Sequence, residues 1–151
     1  MAALLAELGR PDVRGTEQER SARLVFERYL GRPDTFAFAA EDDDGRVVGF
    51  VDMELRTRLN FAEPQAWIPD LVVAERARSR GAGAALLARA EEVARGAGCF
   101  TLTLESASWR ERAHAFYVRE GWADSGHAFT KNLSDRPWPP PPPAEPGPAP
   151  R

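Results

Sequence analysis

One cysteine, Cys99, and two histidines are all that the 151 residues contain of those types. An intrachain disulfide is therefore impossible, and no paired Cys/His spacing offers a metal site. His114 and His127 stand alone, each reading as an ordinary surface or half-buried side chain. Cys99 sits in Gly98-Cys99-Phe100-Thr101-Leu102 and reads as buried rather than nucleophilic. Basic excess is also lacking. A formal charge of −3 gives nothing to meet a phosphate backbone, so nucleic acid is not an expected partner. No apolar run approaches the roughly 20 residues of a membrane span. The opening Met1-Ala2-Ala3-Leu4-Leu5-Ala6-Glu7-Leu8 lacks the basic start of a signal peptide and reads as helix, so the cytoplasm is the expected location.

What is present suits one folded domain. Hydrophobic residues make up 43% of the chain and charged residues 28%, and the length allows a substantial core. Thr16 and Glu19 form a capping-box pattern, and Ala22, Val25, Phe26, Tyr29 and Leu30 then recur at helical spacing until Gly31-Arg32-Pro33. Phe36–Ala40 and Val47–Leu55 read as strands joined through the Asp-Gly step of Asp42-Asp43-Asp44-Gly45. Trp67–Val73 is a further strand, and Pro69 within it predicts a bulge or irregular pairing. Leu86, Ala90, Val93, Ala94 and Ala97 mark the buried face of a following helix, and the runs 100–104 and 129–133 complete the strands. The folded domain is expected over residues 1–134. Residues 135–151 are separate: Pro139–Pro143 run unbroken, with Pro146, Pro148 and Pro150 after them, which predicts a solvated polyproline II or disordered tail.

The most informative stretch joins Leu71-Val72-Val73 to a long Ala/Leu helix through Arg78-Ser79-Arg80-Gly81-Ala82-Gly83-Ala84. Glycines let backbone approach a ligand closely. A helix start offers unpaired N–H groups and a positive dipole end. With two arginines beside it, the turn describes a cradle for phosphate or pyrophosphate. It could also be a corner whose glycines merely turn a strand into a helix. Two commoner phosphate loops are excluded: Ala84-Ala85-Leu86 stands where a Walker loop needs Gly-Lys-Ser/Thr, and Leu86 where a dinucleotide fingerprint needs its third glycine.

The order Arg78-x-x-Gly81-x-Gly83 after a strand resembles the acyl-CoA pyrophosphate loop of the GNAT N-acetyltransferase superfamily. A second stretch, Ala113-His114-Ala115-Phe116-Tyr117-Val118-Arg119-Glu120-Gly121-Trp122, is similar to that family's Ala-x-x-Phe-Tyr helix with its trailing Gly-aromatic pair. Ala113, Phe116 and Tyr117 share one helix face. Ser108 and Glu111 form a capping-box pattern at its start, and Gly121 can end it. Phe116 reads as a core anchor; Tyr117 is different, because a buried phenol needs a hydrogen-bond partner.

The resemblance runs from about Phe36 to Leu133 and implies an α/β fold with a mixed, splayed sheet. Family members usually open with a strand ahead of the first helix, whereas this chain begins inside what reads as that helix: either the edge strand is absent or the true start lies upstream of Met1. If it is absent, a sheet edge is exposed and pairing as a homodimer is expected. The implied activity is direct acetyl transfer from acetyl-CoA to an amine, with no metal. Backbone groups of Leu71 and Val73 would hold the pantetheine amides, residues 78–84 the pyrophosphate, and Tyr117 would protonate the leaving sulfur. Asp70 is the first choice for the base, though it could simply cap the bulge beside Pro69. Asp52 and Glu54, on one side of the preceding strand, are alternatives and could attract a cationic amine. Arg110 stands where many family members carry asparagine near the coenzyme. The compact chain and His114 favour a small cationic amine as acceptor. Protein N-terminal or lysine acetylation, and a non-catalytic acyl-CoA-binding module, are the competing readings.

Overall fold

A computed structural model describes residues 2–126, 128–131 and 133. Two compact units divide the chain after Glu105. The first carries helices α1 (Ala2–Glu7), α2 (Gln18–Leu30) and α3 (Ala82–Gly96), with strands β1 (Thr35–Glu41), β2 (Val47–Arg56), β3 (Gln65–Ile68), β4 (Leu71–Val73) and β5 (Thr101–Leu104). The second carries α4 (Glu111–Arg119).

The sheet runs in the order β1-β2-β3-β5, with β4 also pairing β2. β2 is antiparallel to β1, β3 and β4, while β3 and β5 are parallel, so the sheet is mixed. β1 and β2 meet through the turn at Asp42–Gly45, where Gly45 has φ 74° and its N–H donates to the Asp42 carbonyl at 2.8 Å. Among the described residues, the outer edge of β1 has no partner strand.

Proline decides the centre of the sheet. The single strand expected over Trp67–Val73 is broken into β3 and β4 at Pro69-Asp70. Val51 faces Leu71 and Glu54 faces Trp67. Between those pairs Asp52 and Met53 on β2 meet three residues, Ile68, Pro69 and Asp70. That extra residue is the expected bulge, at a proline that has no N–H to give.

Strand alternation sorts β2 onto two faces. Gly49 abuts α3, where a Cβ would lie 2.9 Å from Leu86 Cδ1. Val51 and Met53 share that face and are fully buried, and α3 buries Leu86, Leu87, Ala90 and Ala94. On the opposite face Val48 and Phe50 join Leu4, Val72, Ala74 and Ala77, with Leu5, Leu8 and Phe26 packed against them. Each such buried Leu or Phe contributes about 1.5–3 kcal/mol.

Several local expectations fail. Thr16 does not cap α2: its hydroxyl donates to the Val13 carbonyl at 2.6 Å, while Glu19 accepts from the Gly15 N–H at 2.8 Å. Ser108 and Glu111 form no cap either; the first turn of α4 is closed by backbone bonds to the Arg110 carbonyl. At Thr16 the side chains are spent on the preceding turn, and at α4 the backbone closes the turn itself. The inward face of α2 is Ala22, Phe26 and Tyr29, whereas Val25 is 65% exposed and Leu30 also faces out. Ala97 is exposed and Val93 half-buried, with Leu87 taking the core place. No strand forms over the described residues of 129–133, where Phe129 is 96% and Leu133 89% exposed. Apolar β-formers without a partner strand cannot satisfy their backbone as a sheet. The proline-rich segment and His127 lie outside the described residues.

Candidate active site

The expected cofactor residues come together as one continuous strand, turn and helix. Ala74 N–H donates to the Val48 carbonyl at 2.8 Å, and the Asp70 carbonyl accepts from the Asp52 N–H at 3.1 Å. Residues 70 and 74 thus point their peptide groups at β2. By alternation Leu71 and Val73 point theirs to the other edge of β4. β5 pairs with β3 only, so among the described residues that edge has no strand beside it. It is a gap in the sheet lined by main chain. The Arg78 Nε donates to the Val73 carbonyl at 3.3 Å, tying the arginine to the end of the strand.

A single 3₁₀ turn, Glu75–Ala77, then leads into the loop. Ser79 takes φ 62° and Gly81 φ 87°. The left-handed region costs a non-glycine residue about 1–2 kcal/mol, so Ser79 is held there by its surroundings. Gly81 is needed for its conformation, since a Cβ there would meet open space. The first helical bond of α3 runs from the Ala85 N–H to the Gly81 carbonyl at 2.9 Å. The amides of Ala82, Gly83 and Ala84 precede it and have no helical acceptor. Arg80 and Ser79 are exposed beside them. A diphosphate-bearing carrier fits this arrangement: open space over a left-handed glycine, free amides, flanking guanidinium groups, and an extended edge leading in.

Three acids lie where β2 meets the bulge. Asp52 is 9% exposed and follows Val48 and Phe50 on one face of β2, with Glu54 next in the row. Its Oδ1 accepts from the Asp70 N–H at 3.0 Å. Burial pushes the Asp52 carboxyl up to about 6, with the nearby Asp70 charge acting in the same direction and hydrogen bonds opposing both. Tyr29, from α2, faces Asp52 and Glu54; its phenol is pushed far up by burial and then by those two charges. Glu54 lies 3.8 Å from Arg32 Nη1 and 3.6 Å from Arg56 Nε. Asp70, the expected base, has its Oδ1 bonded by Arg10 Nε at 3.0 Å and Nη2 at 2.7 Å. The Asp70 Oδ1 is thus taken up by the Arg10 guanidinium. Arg10 and Tyr29 were not singled out in the sequence. Tyr29 carried a helical-face signal that reads equally as core, and Arg10, 60 residues from its partner, carried none.

In the second unit, α4 presents Tyr117 between Phe116 and Trp122, with ring centroids at 5.4 and 6.0 Å. Gly121, at φ 86°, ends the helix as expected, with the Trp122 N–H donating to the Tyr117 carbonyl at 2.9 Å. That bond fixes the turn on which Tyr117 sits. Burial raises the Tyr117 phenol above its ordinary value and the Arg110 charge pulls the other way. The Arg110 guanidinium lies 4.7 Å over the Trp109 ring. His114 is half-buried. Cys99 is half-buried as well, its thiol pushed up by that burial, away from nucleophilic chemistry.

Comparison with known proteins places the chain in a family. Residues 2–122 match the Acetyltransferase (GNAT) family. The chain is 40% identical over 90 residues to an aminoalkylphosphonate N-acetyltransferase of Salmonella typhimurium, covering 60% of this chain and 58% of that one. It is 34% identical over 87 residues to an aminoglycoside N(6')-acetyltransferase type 1 of Serratia marcescens, covering 56% and 60%. The matched segments thus span about three-fifths of the length of these curated relatives. A solved structure from Agrobacterium tumefaciens C58, described as an acetyltransferase, superposes with a TM-score of 0.75 at 30% identity over 87% of this chain and 90% of that one. The chain belongs to the GNAT acetyltransferase family.

Proposed function

We propose that this protein transfers an acetyl group from acetyl-CoA to a primary amine of a small cationic molecule, directly and without a metal. The observation that carries the reading is the split at Pro69-Asp70, which frees one edge of β4 and leads it straight into the Gly81 turn. Leu71 and Val73 would bind the amides of the pantetheine arm as an added strand would. The amides of residues 82–84, with Arg78, Ser79 and Arg80, would bind the diphosphate. Acetyl-CoA supplies the activated acyl group.

The remaining chemistry belongs to side chains. An ammonium near its ordinary pKa of about 10 must lose a proton before it can attack. Asp52, buried beside the bulge, is the residue we assign to take that proton, directly or through water, and to pass it to solvent. The row Asp52-Glu54 favours a cationic acceptor by charge. Asp70, the first choice from the sequence, shapes the site through its backbone and its ion pair. Tyr117 is assigned as the acid that protonates the departing thiolate; its raised value keeps it protonated at neutral pH. That the two named relatives act on small amines supports the acceptor class. The lone half-buried thiol is in keeping with a cytoplasmic site of action, and the free edge of β1 with a homodimer, which light scattering would test.

Calorimetry with acetyl-CoA followed by thiol release over an amine panel tests the whole reading. Binding plus turnover with small amines is expected. Binding without turnover on any amine, peptides included, would leave a carrier-binding module instead.

A further inference from the structure

α1 is six residues long, yet it is fastened at both ends of β4. Leu4, buried, and Leu5 and Leu8 seat it on the sheet. Glu7 Oε2 accepts the Glu75 N–H at 2.9 Å, just after β4. At its C-terminus Gly9 turns left-handed, at φ 93°, with Gly9 N–H to Ala6 carbonyl at 3.0 Å and Arg10 N–H to Leu5 carbonyl at 2.9 Å. This pair of bonds is a Schellman cap, and it fixes the direction in which Arg10 leaves the helix. Arg10 then meets Asp70 just before β4.

Resting on the assignment of Asp52 as proton acceptor, we propose that Arg10 is a positioning residue of the active site. Mounted on the cap of α1, it neutralises Asp70 and holds the bulge against β2, leaving Asp52 as the carboxylate that exchanges the proton. The linkage is continuous: Arg10 Nη2 to Asp70 Oδ1 at 2.7 Å, Asp70 N–H to Asp52 Oδ1 at 3.0 Å, and Asp52 N–H back to the Asp70 carbonyl at 3.1 Å. The Asp70 charge disfavours the charged form of Asp52, and a cation seated on Asp70 offsets that effect. The other groups facing Asp52 are Tyr29 from α2 and Glu54 on its own strand, the latter already near Arg32 and Arg56. None of them can replace Arg10 at Asp70.

The test is a site-resolved titration of the Asp52 carboxyl by carbon-13 NMR in the full chain, which needs no substrate. Arg10→Gln should move the Asp52 midpoint upward by about half a unit or more, and Asp70→Asn should move it downward. The double variant, with neither charge, should titrate below Arg10→Gln. Arg10→Lys should recover most of the wild-type midpoint. The acid limb of the rate profile should follow the same order. Gly9→Val offers a second route, because it disturbs the mount without altering any charge; it should raise the midpoint as Arg10→Gln does. An Asp52 midpoint that none of these variants moves overturns the proposal. If Arg10→Gln proves unfolded, Asp70→Asn and the double variant decide it alone. A wild-type protein with no turnover on any amine sinks the functional reading but leaves these midpoints as evidence about Arg10.

Discussion

Tyr117 and Asp52 are two ionisable groups whose surroundings push both upward, and the proposed mechanism gives them opposite uses. The phenol stays protonated at neutral pH and can give a proton; the carboxyl, brought up to about 6, can accept one near neutrality. Tyr117→Phe should lower kcat by roughly 10²-fold while the acetyl-CoA dissociation constant stays within about twofold. Undiminished turnover would remove Tyr117 from the chemistry. Asp52→Asn should cost roughly 10²–10⁴ in kcat/KM and abolish the acid limb of its pH profile. A residual limb near pH 6 would point to another base, with Glu54 next in the row.

Among the elements, the turn into α3 is the most demanding of a particular residue. Gly81→Ala forces a Cβ into the left-handed region at φ 87°. The expected cost is about 1 kcal/mol of stability together with a fall of fivefold or more in acetyl-CoA affinity, read by chemical unfolding and calorimetry. Affinity unchanged would mean that the loop does not hold the diphosphate. This element was legible in the sequence because its demands are local: a left-handed residue, a helix start and flanking cations each need particular residue types at fixed spacing. The bulge was legible for the same reason, since Pro69 cannot join a ladder. The capping boxes were misread because the Thr16 hydroxyl found the Val13 carbonyl nearer, and because α4 starts from Arg110 rather than Ser108, neither of which a local pattern distinguishes. The final strand failed because a strand needs a neighbour, and Phe129-Thr130-Lys131 carries no information about whether one exists. The Arg10–Asp70 ion pair was invisible, being set entirely by where α1 docks.

For the whole molecule, the proposed role of Asp52 would link the chemistry to the stability of the fold. Its carboxyl titrates at 3.8 when unfolded and about 6 when folded. The folded state therefore binds the proton more tightly, and stability falls as pH rises from about 4 to 6. Near pH 7 the penalty is about 3 kcal/mol. Asp52→Asn, which keeps an acceptor for the Asp70 N–H, should raise unfolding free energy at pH 7 by up to that amount and give no gain below pH 4. Denaturant titrations at several pH values would check the sign. A variant less stable than wild type at pH 7 would mean that the charged form is favoured in the fold. A protein that is more robust without its acid would be one in which function is maintained against stability.

Among the described residues the edge of β4 left without a strand offers peptide groups alone to the proposed carrier. Every amino acid except proline supplies the same N–H and C=O there, so the grip proposed at Leu71 and Val73 would be indifferent to what those side chains are. Exchanging either for another β-branched or aliphatic residue would leave the carrier's welcome intact, whereas a proline at either position would silence one donor outright. Recognition of this kind is written in the course of the chain, and the letters reach it only through the resemblance to a family.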